Sequence, residues 1–214
     1  MTYYVLQGRI VSDGDAVTDF RPTEKSRKGE APRCAVCGNF IGMLPLLAPI
    51  EVEIESSGRR WGDLAFGPGD QILVSGRLKE MYAEARLTGI TQFNLAKIKK
   101  ARMHRAIGVQ PPPYYLASII RSRATLDESR SHIVREAPWT CEECRIGGPI
   151  MRVSNLIVDS VSAQAEDIFL ARGLPGIILT SDRFKHLCDT SDLVNCALIP
   201  AEQFSFDWYR RENS

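Results

Sequence analysis

The 214-residue sequence lacks a large excess of charge of either sign. It contains 27 lysine and arginine residues against 26 aspartate and glutamate residues, a formal net charge of +1. Proteins dominated by binding to polyanions or membrane surfaces are usually strongly basic. The balance gives no support to that class, and the hydrophobic content of 44% argues against a disordered chain.

Long apolar segments are also lacking. The most apolar segment, residues 40–54, contains two prolines and two glutamates. It falls short of the ~18 uncharged apolar residues that a membrane span needs. Residues 1–10 do not combine a basic region with an apolar core, as a secretory signal would. We therefore expect a soluble, cytoplasmic protein without a membrane partner.

Histidine is scarce, and no catalytic motif is recognisable. His104, His132 and His186 are scattered, and none belongs to an HExxH sequence. The glycines of residues 67–69 are not followed by the Lys-Ser/Thr pair of a phosphate-binding loop. Because no general acid, base and nucleophile come together, the sequence predicts no catalytic residues, no small-molecule substrate and no enzyme.

Cysteine is present in a pattern typical of metal binding. Cys34 and Cys37 form one CxxC pair, and Cys141 and Cys144 form a second. Two thiolates separated by two residues can reach one ion from a tight turn, for which Gly38 permits a positive φ. Four thiolates form a tetrahedral zinc site without an open coordination position. The pairs therefore predict a structural zinc ion.

Other interpretations of the cysteines remain open at this stage. Positions 38 to 140 separate the two pairs by 103 residues, which must fold to bring them together. The pairs could instead be unligated thiols, or a thioredoxin-like dithiol, although the surrounding prolines and glycines indicate loops. Cys188 and Cys196 lie in apolar segments and are expected to be buried free thiols.

Hydrophobic periodicity predicts strands together with a few helices. Helices are predicted over residues 72–85, residues 165–171 and residues 182–188, the last with Ser181 as its cap. Strands are predicted over residues 3–6, 93–99, 114–120, 133–135, 153–158, 176–180 and 196–200. We therefore expect an α+β fold with mixed or antiparallel sheets, stapled by the four-cysteine zinc site.

The Gln-Pro-Pro-Pro segment at residues 110–113 is the best candidate for a domain boundary, because it can join neither a helix nor a strand ladder. It would separate an N-terminal α+β part, residues 1–110, from a C-terminal α+β part, residues 111–214, each carrying one CxxC pair. One continuous domain remains the alternative. No internal repeat of 20–50 residues is recognised in the sequence.

The most basic segment, residues 97–105, could contact nucleic acid, but the solvated face of a strand is the interpretation that we favour. The C-terminal part is locally acidic, which could suit a basic partner or be ordinary surface. Its acidic residues are Asp189, Asp192, Glu202 and Asp207.

Several segments together carry a resemblance to a known family. They are residues 34–38, 61–64, 66–69, 141–144, 166–176, 179–185, 195–196 and 198–202. With them the chain resembles, in outline over residues 1–207, the double-CXXCG motif family of myxobacteria. Members of that family resemble or serve as immunity proteins of polymorphic toxin systems (SitI-type proteins). The second pair departs from the motif, because Arg145 stands where the family has glycine.

The resemblance implies a cytoplasmic, non-enzymatic inhibitor that binds and neutralises a cognate toxin domain by direct protein–protein contact. Many toxins of such systems are nucleases. Trp208, Tyr209 and the basic segment 97–105 are candidate contacts. The alternative function is a zinc-containing nucleic-acid-binding protein, and a thiol oxidoreductase is a third.

Overall fold

The structure is a computed structural model that describes residues 2–8, 17–159, 161–163 and 166–207. Its helices are α1 (Gly76–Glu84), α2 (Asp182–Thr190) and a short 3-10 helix, Ala201–Gln203. Its strands are β1 (Tyr3–Gln7), β2 (Thr18–Pro22), β3 (Ile50–Ser56), β4 (Leu64–Phe66), β5 (Ile72–Ser75), β6 (Ile90–Met103), β7 (Tyr114–Arg121), β8 (His132–Arg135), β9 (Ile150–Ser154), β10 (Ile168–Leu170), β11 (Ile178–Ser181), β12 (Ala197–Pro200) and β13 (Ser205–Asp207).

Six of the strands close into a barrel. Their order is β7-β5-β4-β2-β3-β6, and β6 pairs again with β7. Since alternate residues of a barrel strand point inward, the interior is filled by apolar side chains. Buried interior residues include Phe20, Val52, Ile54, Leu73 and Tyr114.

The predicted α+β class is wrong, because the fold is mostly β, with 38% strand against 11% helix and a closed barrel. The helix predicted over residues 72–85 divides at Ser75, since Ile72–Ser75 is strand β5 and only Gly76–Glu84 is helical. All four β5 residues are buried between β4 and β7. A strand covered on both faces is a continuous apolar run, which periodicity alone does not separate from a helix.

The other predicted elements have a mixed outcome. Residues 165–171 contain strand β10 rather than a helix, and Ala165 lies outside the described residues. All seven predicted strands overlap strands of the structure. Helix α2 is confirmed with its cap, because the Ser181 hydroxyl accepts hydrogen bonds from the Arg183 and Phe184 amides.

Strand β7 links the barrel to the rest of the fold. Its end pairs in parallel with β10, which continues a sheet in the order β10-β11-β1-β12. One face of this sheet packs on α1 and α2, and the other face packs on a three-stranded sheet of β13, β9 and β8. Residues 110–113 connect β6 to β7, which pair with each other. The domain boundary predicted there stays a prediction.

No helix among the described residues has the length and apolar character needed to cross a bilayer.

The sequence interpretation missed an internal repeat of a strand–strand–helix unit. The first unit contains β4, β5 and α1, and the second contains β10, β11 and α2. In each unit a buried aspartate precedes the first strand, a serine caps the helix, and an arginine follows in the helix's first turn. These residues are Asp63, Ser75 and Arg77 in the first unit and Asp167, Ser181 and Arg183 in the second.

The two units are interlocked through their aspartates. The Thr88 amide, which follows α1, donates to Asp167 at 2.9 Å. The Val194 amide, which follows α2, donates to Asp63 at 3.0 Å. The aspartate of each unit thus accepts a hydrogen bond from a backbone amide that follows the other unit's helix. The repeat is hidden in the sequence because the aspartate and the capping serine are 12 residues apart in the first unit but 14 in the second.

Candidate functional site

The two CxxC pairs lie in long connections that extend from different sheets. The first pair lies between β2 and β3 of the barrel, where residues 23–49 fold back on themselves through hydrogen bonds such as Gly29 N–H to Pro45 O at 2.8 Å. The second pair lies between β8 and β9 of the three-stranded sheet, in a loop closed by Gly148 N–H to Ala137 O at 2.9 Å.

Both pairs adopt the same turn. The Gly38 amide donates to Cys34 O at 2.9 Å, and the Arg145 amide donates to Cys141 O at 2.8 Å. Gly38 has a φ of 77° and Arg145 a φ of 51°, so both are left-handed. Arginine takes the position of the motif's glycine at a cost of ~1–2 kcal/mol. Its guanidinium lies 5.2 Å from the centre of the Trp139 ring.

The four sulfurs converge on one point. Cys34 Sγ lies 3.9 Å from Cys141 Sγ, and Cys37 Sγ lies 3.6 Å from Cys144 Sγ. All four lie within 4.8 Å of one another. A tetrahedron with metal–sulfur distances of about 2.3 Å has edges of about 3.8 Å. The cluster therefore has the dimensions of a four-thiolate metal site and could hold a metal ion.

The surroundings of the sulfurs shift the pKa values of two of the thiols in opposite directions. Hydrogen bonds from the backbone amides of Cys37 and Val36 lower the pKa of the Cys34 thiol to about 7. Burial raises the pKa of the Cys144 thiol to about 12. Four thiolates in contact repel one another, and a divalent cation removes this obstacle to deprotonating them together.

Cys188 and Cys196 stand apart from this cluster. They are free and half-buried rather than fully buried, and their sulfurs lie 2.9 Å apart between α2 and the start of β12. Because these two thiols lie outside the cluster, they serve as controls when the reactivity of the four clustered thiols is measured.

The structure does not bring the three histidines together. His104 follows β6, His132 begins β8 and His186 lies in α2. Within the described residues, the group with metal-binding geometry contains the four cysteines and no histidine.

The basic segment 97–105 lies beside a row of glutamates. Parallel pairing of β3 with β6 places Glu51 near Lys97 and Lys99, at N···O distances of 3.8 and 3.3 Å. Farther along, His104 bonds to Glu55 and lowers the pKa of that carboxyl group. These glutamates offset part of the positive charge that would attract a nucleic acid.

Two of the acidic C-terminal residues form ion pairs. Asp189 pairs with Lys185 at 2.5 Å, and Asp192 pairs with Arg60 at 3.3 Å. The predicted contacts Trp208 and Tyr209 lie outside the described residues.

The sequence interpretation missed a group of exposed apolar side chains in the loop that carries the first cysteine pair. Val36, Phe40, Met43, Leu44 and Leu47, here called the apolar loop surface, are all exposed. They are half of the large apolar residues that are exposed in the described ranges. Four of the five lie in the apolar segment 40–54, whose sequence does not show which of its side chains are exposed.

Comparison with known proteins places the chain among immunity proteins. A family model described as an immunity protein family matches residues 48–203, more than half of the chain. The chain belongs to that family, Imm11. No curated protein matches the chain.

The family confirms the resemblance to immunity proteins of polymorphic toxin systems and implies a toxin protein as the partner. The matched residues include Cys141 and Cys144, whereas Cys34 and Cys37 precede them.

Proposed function

We propose that this chain binds a cognate toxin domain directly in the cytoplasm and neutralises it without acting as an enzyme. The family match over residues 48–203 is the observation that carries this proposal. The ion pairs between the basic segment and the glutamates of β3 disfavour the nucleic-acid alternative. Because the resemblance implies toxins that are often nucleases, a nuclease domain is the first toxin class to test.

Binding and protection test the proposal together. We expect the chain to co-purify with the product of the adjacent gene and to restore growth of cells in which that product is toxic. A stable inhibitory complex has a Kd on the order of 10⁻⁹ M. Calorimetry with a catalytically inactivated toxin domain measures this value.

Duplex DNA and RNA are the matched control ligands. At physiological salt we expect no binding to either. Protection without a complex would overturn direct contact, and salt-dependent binding to nucleic acid would favour the alternative function.

We further propose that Zn²⁺ is the ion held by Cys34, Cys37, Cys141 and Cys144. The donor set supports this choice, since four soft thiolates favour zinc over calcium or magnesium. Zinc would neutralise the thiolates and, with no open coordination position, would act as a cross-link. The cross-link would join the barrel's β2–β3 connection to the β8–β9 loop of the three-stranded sheet.

Metal analysis and thiol counting test the zinc proposal. We expect elemental analysis of purified protein to find one zinc ion per chain. In a variant with both Cys188→Ser and Cys196→Ser, we expect no thiol to react with iodoacetamide before chelation. After chelation four thiols should react, because metal-bound thiolates are shielded. An iron-containing protein, or four reactive thiols at the outset, would contradict zinc binding.

A further inference from the structure

We propose that the apolar loop surface is where the toxin docks, and that it takes a toxin surface with an apolar centre and an acidic rim. This inference rests on the proposed function. It assigns the contact to residues other than Trp208, Tyr209 and the segment 97–105.

The apolar side chains of the loop are exposed, but its backbone is fixed by buried residues and hydrogen bonds. Leu46 is buried in the barrel core, and Cys34 is buried in the cysteine cluster. Gln71 Nε2 donates to Leu44 O at 3.0 Å, and the Ile41 amide donates to Pro32 O at 2.9 Å. A surface fixed before binding loses less conformational entropy when its partner arrives.

The composition of the surface is that of an interface. Phe40 and Met43 are residue types that are enriched in protein–protein contacts. Arg33 lies over the Phe40 ring, with its guanidinium carbon 3.8 Å from the ring centre. An arginine stacked on an aromatic ring at an apolar centre matches the composition of binding hot spots. Exposed apolar groups of this kind mark interaction sites in soluble proteins.

A cavity lies between the loop and the cysteine cluster. It has a volume of about 280 Å³. Arg33 and Ile41 of the loop line it, together with further apolar residues and the charged residues Arg121, Arg172 and Glu143. Because arginines outnumber the glutamate, this mixed lining suits an apolar or acidic side chain of a protein partner.

The positive charge of the loop indicates that the rim of the toxin surface is acidic. Lys25, Arg27, Lys28 and Arg33 are exposed in the arm of the loop that leads to the first cysteine pair, against two glutamates. None of these four basic residues forms an ion pair within the described ranges. A positive rim accelerates capture of a negatively charged partner surface.

The test is calorimetry of full-length variants with the catalytically inactivated toxin domain. We expect Phe40→Asp to weaken binding about 100-fold, as loss of a central interface residue does. Zinc content and thermal midpoint should stay unchanged, because Phe40 is 55% exposed. Exchanging Arg27 and Lys28 for glutamate should slow association about 10-fold and reduce its dependence on salt.

Leu95→Asp and Ile107→Asp are the matched controls, since both residues are exposed and apolar but lie outside the loop. Each should change Kd by less than about 3-fold. Weaker binding in Leu95→Asp with normal binding in Phe40→Asp would overturn the assignment. A dimer of the chain that Phe40→Asp dissociates would assign the surface to self-association instead.

Failure of the unaltered chain to bind the toxin domain would overturn the proposed function together with this assignment. The two failures can be told apart. If the unaltered chain binds the toxin domain and Phe40→Asp binds it equally well, only the assignment of the docking surface is overturned.

Discussion

Replacing Cys141 with serine is expected to abolish zinc binding and to lower the free energy of unfolding by about 4 kcal/mol. The physical reason is the length of chain that the proposed zinc ion would close. In the chain-entropy description, a cross-link around a loop of about 100 residues stabilises a fold by about 4.7 kcal/mol. Positions 38 to 140 place 103 residues between the two pairs. Urea unfolding, together with elemental analysis of zinc, measures the effect.

Chelation separates loss of the metal from loss of the side chain. We expect metal-free unaltered protein to be as unstable as Cys141→Ser, and the variant to show no further response to chelator. Cys188→Ser is the matched control, because Cys188 is half-buried and lies outside the cluster. Equal stability of Cys188→Ser and Cys141→Ser would contradict a metal cross-link.

Replacing Asp167 with asparagine is expected to cost about 2–4 kcal/mol of stability, because the hydrogen bonds that a buried charged group accepts are worth about 1.5–3 kcal/mol each. The Asp167 side chain is only 2% exposed and accepts hydrogen bonds from three residues. The Ser181 hydroxyl lies at 2.6 Å, the Arg183 guanidinium at 2.9 Å and the Thr88 amide at 2.9 Å. An asparagine would present an NH₂ group to some of these donors and leave the guanidinium without its charge partner.

Urea unfolding of matched variants tests this account. Asp63→Asn should cost a similar amount, because Asp63 accepts from Ser75, Arg77 and Val194 in the equivalent positions. Asp192→Asn is the surface control. Its carboxylate is 87% exposed and pairs with Arg60, so a loss below about 1 kcal/mol is expected. A small loss in Asp167→Asn would show that the interlocked units do not depend on these bonds.

Some elements could be predicted from the sequence and others could not, because only some of them have a signal within a few neighbouring residues. Strands with flanking turn residues were predicted close to their positions, since alternation and β-branched residues are local signals. The segments 72–75 and 168–170 were assigned to helices because strands buried on both faces lack alternation. The serine cap of α2 was predicted correctly, because a cap acts on residues only two or three positions away.

The candidate site likewise has features that the sequence shows and features that it does not show. The two CxxC pairs could be recognised because each is complete within four residues, and the motifs indicated an immunity protein. The apolar loop surface could not be recognised, because exposure depends on what packs around a side chain. Residues 40–54 contain buried Leu46, Ile50 and Val52 as well as exposed Phe40 and Met43, and their hydrophobicity is similar.

By itself, the sequence determined the identity of the four thiols, the local turns that present each pair, most of the strands and the resemblance to immunity proteins. These properties follow from chemistry within a few residues along the chain. The tertiary structure alone decided that the two pairs meet, that six strands close into a barrel and that two units interlock through Asp63 and Asp167. Each of these joins residues far apart in sequence, and such contacts form only when the whole chain packs.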